Sequence, residues 1–174
     1  MKNKMLFKIC FSAIMTAFAS LAFMLESLFP PLFLPGARLG LSNVFILLVS
    51  MVIGWKYGFA VLTIKTFIGS LFAGNLSTVM YSLPAGLISL TVQFLLFSLL
   101  KNVSIVSTSV AGAVINSLVQ NVVFCLVTGT SEFLVYLPYL SLISTFSGIV
   151  IGIIVSLALV RFPQKYVFTN INKN

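Results

Sequence analysis

The sequence predicts an all-α integral membrane protein of six transmembrane helices in one domain spanning residues 1–174, with both termini in the cytoplasm. Three observations carry that prediction. The first is composition: 60% of the residues are hydrophobic and 7% charged, with a mean hydropathy of +1.18, so polar side chains could not cover the apolar surface in water. The second is segmentation at polar punctuation, which leaves apolar runs at about 6–27, 39–54, 57–75, 79–100, 106–128 and 137–160. Each is near the roughly 20 residues a helix needs to cross about 30 Å of hydrocarbon. The runs are continuous rather than alternating, which disfavours a barrel. The third is charge placement. Lys2, Lys4, Lys8, Lys56, Lys101, Arg161, Lys165 and Lys173 all fall on one side of an even number of spans, and that side is then the cytoplasm. Five or seven spans would split them.

The net charge of +8 does not signal nucleic acid, because the cations are scattered singly and the aromatics lie inside apolar runs. Lys2 and Lys4 ahead of Ala17-Phe18-Ala19 have the outline of a cleaved signal, but Lys8 interrupts the apolar region and hydrophobicity continues to Leu25. The first segment reads instead as a packing helix. Ser12, Thr16 and Ser20 recur every four residues beside Ala13 and Ala17, and such small-residue stripes allow close helix approach, within the bundle or to a separate membrane subunit.

The first outer loop contains Glu26 and three stiffening prolines, Pro30, Pro31 and Pro35, and ends in Gly36-Ala37-Arg38-Leu39-Gly40-Leu41-Ser42-Asn43. Arg38 is the single cation assigned to the outer face. Two readings remain: a turn in which Ser42 or Asn43 caps the second helix, or a lid with hinges at Gly36 and Gly40. The second segment is short, so it should stand steeply or begin in a hydrated dip.

Lys65 lies nine residues beyond Lys56 in the third segment, roughly 13 Å deeper at 1.5 Å per residue. A charge there costs about 3 kcal/mol or more unless partnered. With both carboxylates placed in outer loops, its expected partners are neutral oxygens or a bound anion. Asn116 and Gln120 share one face of the fifth helix, with Asn121 alongside, and Gln93 sits midway along the fourth. Such amides either join helices or line a site. Pro84 and Pro138 should start or kink helices, Tyr81, Tyr136 and Tyr139 read as interfacial anchors, and Gly148 with Gly152 as a packing pair.

There is no histidine, and the two cysteines, Cys10 and Cys125, should lie in opposite leaflets. No phosphate-binding loop or aspartate-rich motif is present. No catalysis, metal or cofactor is therefore expected of this chain; a solute-binding role driven by other subunits is.

The Gly36–Asn43 stretch, Gly54-Trp55-Lys56, Lys65 with Gly69-Ser70-Leu71-Phe72-Ala73-Gly74, Leu87-Ile88-Ser89, Asn116 with Gln120, and Leu137-Pro138-Tyr139-Leu140 resemble the family labelled Gx transporter or heptaprenyl diphosphate synthase component I. That family is similar to the substrate-binding S components of energy-coupling factor (ECF) transporters. The resemblance covers about residues 9–158. Lys65 stands where the family tends to have Arg, and Ser42 where Ala is usual.

The resemblance implies a six-helix binding subunit with an outward pocket. Ala13 and Ala17 would meet a membrane coupling subunit, and two cytoplasmic ATPases would complete the transporter. The reference to prenyl diphosphate synthesis is read as inherited from gene context, since no carboxylate cluster could hold a magnesium diphosphate.

The expected function is therefore capture of a small amphipathic solute, anionic or carbonyl-rich, such as a vitamin, a quinone precursor or an isoprenoid phosphate. Arg38, Asn43, Lys65, Asn116 and Gln120 would contact it. The alternatives are a non-transporting scaffold or accessory subunit in prenyl or quinone metabolism, and a part in flavin-linked electron transfer.

Overall fold

The computed structural model describes residues 2–28, 40–100 and 103–162. These form six α-helices: α1 (Lys2–Leu28), α2 (Ser42–Val52), α3 (Trp55–Phe72), α4 (Ser77–Leu99), α5 (Ile105–Thr128) and α6 (Leu137–Arg161), the last preceded by a 3-10 turn at Ser131–Tyr136. There is no strand among the described residues. The stretches Met5–Ser27, Ser77–Leu99, Ile105–Thr128 and Leu134–Arg161 are long and apolar enough to cross a membrane. The chain is a multi-pass membrane protein.

Two of the six expected spans differ from those four. α2 has 11 residues, about 16 Å at 1.5 Å per residue, roughly half a membrane. Nine of them are buried, because the helix is apolar on all sides and is enclosed by α1, α3 and α6. A helix shielded from lipid by its neighbours does not have to reach both surfaces. α3 has 18 residues, and Lys56 and Lys65 lower its apolarity. Its inner face, including Val61, Leu62, Lys65, Thr66 and Ser70, is buried.

Aromatic contacts show which helix ends lie together. Lys8 Nζ stands 5.6 Å from the Tyr57 ring centroid, Phe11 meets Phe162 edge-on at 5.7 Å, and Trp55 packs on Phe94 and Phe97 at 5.6 and 6.1 Å. The starts of α1 and α3 and the ends of α4 and α6 thus share one end of the bundle, which also carries Lys56 and Arg161. Gly54, at φ 127°, makes the tight turn from α2 into α3 at this end.

The two stripes of α1 divide between inside and outside. Thr16 and Ser20 are buried while Ala13 and Ala17 are exposed. The hydroxyls of Ser12, Thr16 and Ser20 each donate to the carbonyl four residues earlier, at 2.8, 2.7 and 2.8 Å, so the inward stripe carries no unsatisfied donor. Gly148 and Gly152 are a packing pair: a Cβ on either would lie 2.7 Å from Val110 Cα or 2.6 Å from Val106 Cα. Their absent side chains let α5 and α6 touch backbone to backbone. Pro84 lies inside α4, and Pro138 is at the start of α6, as expected of each.

Candidate functional site

Five helices bring polar groups to a cavity inside the bundle. Phe23 and Glu26 come from α1, Ser42 and Asn43 from α2 with Gly40 just before it, Leu62 and Lys65 from α3, Ser82 and Gly86 from α4, and Asn116 and Gln120 from α5. A second cavity adjoins it. It shares Asn43, Leu62, Gly86 and Asn116 and adds Ile46, Leu47, Ser89, Leu90 and Gln93. Each has a volume of about 20 Å³ measured to the centres of water molecules, enough for about one water. A larger solute enters only when these walls part.

Lys65 is 3% exposed and is held by contacts on two sides. Its Nζ donates to Ser42 Oγ at 2.7 Å and stands 5.1 Å from the centroid of the Phe23 ring. A hydrogen bond from a charged group contributes about 1.5–3 kcal/mol, and a desolvated cation–π contact about 2 kcal/mol. Together they are of the size of the roughly 3 kcal/mol that a mid-membrane lysine costs. A neutral oxygen is thus one of its partners, as expected.

The expectation that no carboxylate lies near Lys65 is corrected. Glu26 is not in an outer loop but in the last turn of α1, half-buried, on the wall of the same cavity. Its Oε1 accepts from the backbone N–H of Ser42 at 3.3 Å. That N–H opens α2, where unpaired amides and the helix dipole favour a negative group. Ser42 therefore binds the carboxylate through its backbone and the ammonium through its side chain. It does not cap α2 as a side chain; its hydroxyl is taken by Lys65.

The expected site residues separate into three groups. Asn43, Lys65, Asn116 and Gln120 come together on one cavity wall, joined by Gly40, whose φ of 72° suits a residue without a side chain. Arg38 and Gly36 lie outside the described residues. Ala13 and Ala17 lie on the exposed side of α1 and are not part of the cavity lining. Asn121, the neighbour of Gln120, belongs to a different contact, accepting from Cys125 Sγ at 3.7 Å. Both cysteines are free.

Phe23, Glu26, Ser42 and Ser82 were missed as site residues. The first two were legible: Phe23 and Glu26 extend the buried Thr16 and Ser20 face of α1 by steps of three residues. No local spacing reveals the meeting of Ser42 and Lys65, which are 23 residues apart.

The family model described as heptaprenyl diphosphate synthase component I matches residues 15–158. The chain belongs to that family. No curated protein and no solved structure matches it. The matched stretch of this component I chain contains every described cavity residue and Ala17, and begins two residues after Ala13.

Proposed function

We propose that this chain is the substrate-binding membrane subunit of an ECF-type importer, taking a small amphipathic solute from the outer face. The observation that supports the reading is Lys65: a cation buried on a cavity wall to which five helices contribute polar side chains. Such a constellation is costly in a membrane and is retained where it has a ligand to meet.

Lys65 suits a head rich in oxygen acceptors, anionic or carbonyl-bearing, and Glu26 beside it favours a head that also carries a donor over a bare anion. Asn43, Asn116 and Gln120 orient the solute. In this reading Arg38 is a further contact for the solute, and Gly36 and Gly40 are the hinge residues. A vitamin, a quinone precursor or an isoprenoid phosphate with such a head fits. Ala13 and Ala17, exposed on α1, dock a membrane coupling subunit, and two cytoplasmic ATPases supply the driving force. The chain itself performs no catalysis.

A second reading is favoured by the family description: a membrane accessory that works with another component of a prenyl diphosphate synthase. Affinity purification from native membranes separates the two. Co-purification of a membrane coupling subunit with two ATPases supports the importer. Co-purification of a prenyl synthase subunit without ATPases sinks the importer in favour of the accessory.

A further inference from the structure

The second cavity carries chemistry that the head-group site leaves unused. Gln93 is 9% exposed, and its Nε2 donates to Ser89 Oγ at 3.3 Å. Ser89 Oγ gives its single proton to the carbonyl of Gly112 at 2.7 Å. The hydroxyl can then only accept from Gln93, which sets the orientation of the amide with Nε2 toward Ser89. Gly112 makes room for it, since a Cβ there would stand 1.8 Å from Nε2.

Gln93 Oε1 is buried without a hydrogen-bond partner among the described residues. An acceptor stranded in this way has given up its hydrogen bond to water with nothing in exchange. Ser89 has no proton left to offer, and Asn43 and Asn116 face the same cavity.

We infer that the second cavity is a deep subsite in which Gln93 Oε1 accepts a hydrogen bond from an N–H or O–H group at the far end of the solute. The inference rests on the importer reading and narrows its substrate class. Ser82 on the first cavity and Gln93 on the second are 11 residues apart on α4, about 16 Å at 1.5 Å per residue. Ile46, Leu47, Leu62 and Leu90 give the second cavity an apolar lining around its polar groups. The solute is therefore elongated, with a polar head at Lys65, an apolar middle and a donor at its tail.

Native mass spectrometry of the full chain in mild detergent tests this, using as probe the adduct mass that wild type carries from the expressing cells. Gln93→Met lowers occupancy of that adduct at least tenfold; full occupancy in Gln93→Met overturns the subsite. A wild type without any adduct is failure of the importer reading, and the subsite falls with it. An infrared measurement guards against simple misfolding of the variant. The chain has three glutamines, Gln93, Gln120 and Gln164, so ¹³C-carbonyl glutamine labelling gives three bands, that of Gln93 being the one lost in Gln93→Met. In wild type it lies at a hydrogen-bonded frequency and shifts in Lys65→Met, which empties the protein. A band at the free-amide frequency, or one that Lys65→Met leaves in place because the donor is resident water, contradicts the proposal.

Discussion

Lys65 donates to Ser42 Oγ at 2.7 Å across two helices, and this contact links the start of the half-length helix α2 to the cation in α3. Removing the hydroxyl leaves a buried charge short of one acceptor. Ser42→Ala should cost about 1–3 kcal/mol in the wild-type background and much less in Lys65→Met. Thermal unfolding of the four proteins of this cycle in detergent gives the coupling. Equal losses in both backgrounds would show that Ser42 acts through packing alone.

The α5–α6 contact depends on the absence of a side chain at Gly148. In Gly148→Ala the new Cβ meets Val110 Cα at 2.7 Å and Ala113 Cβ at 3.0 Å, and backbone cannot rotate aside. The helices separate, at about 1–3 kcal/mol, typical of overpacking. A drop in unfolding temperature, with loss of any bound solute as Asn116 and Gln120 move, is expected.

The side on which the basic end of the bundle lies follows from its lysines and arginines. Lys56 and Asn75 are both exposed, at opposite ends of α3. With Cys10 and Cys125 replaced by serine, a membrane-impermeant maleimide should label Asn75→Cys in intact cells and Lys56→Cys only after permeabilisation. The reverse pattern would turn the cavity mouth inward and exclude capture from outside.

Docking through α1 has a signature that separates it from folding. Ala13 and Ala17 are exposed, so Ala13→Leu with Ala17→Leu should leave unfolding temperature within about 2 °C of wild type, as for other surface changes. ATP-dependent uptake should fall at least tenfold. Uptake that survives the pair would assign the docking face elsewhere.

Much of this architecture was legible in the sequence, because in a membrane the apolar run is itself the structural signal. α1, α4, α5 and α6 start and end within a few residues of the expected spans. The short α2 was visible as a short run, but its burial on nearly all sides depends on which helices surround it, and that is long-range information. The site divides in the same way. Asn116 and Gln120 are four residues apart, and helical periodicity alone places them on one face. Glu26 was assigned to the outer loop for its charge although the apolar run at 6–27 already included it, and α1 runs on to Leu28. A cap by Ser42 or Asn43 was one of two readings of this stretch, a sound one for a serine at a helix start, but the ammonium of Lys65, 23 residues away, takes the Ser42 hydroxyl. Gln93 announced a polar group in a span, but only the fold shows that its Oε1 lacks a donor.

The central claim is that Lys65 sits in the wall of a solute site. The most direct test is quantitative mass spectrometry of small molecules released when the purified full chain is denatured, for wild type and for Lys65→Met of equal thermal stability. One equivalent of a single elongated, polar-headed compound from wild type, reduced at least tenfold in Lys65→Met, is the expected result. Release of nothing from wild type, or of the same amount from both proteins, would contradict it.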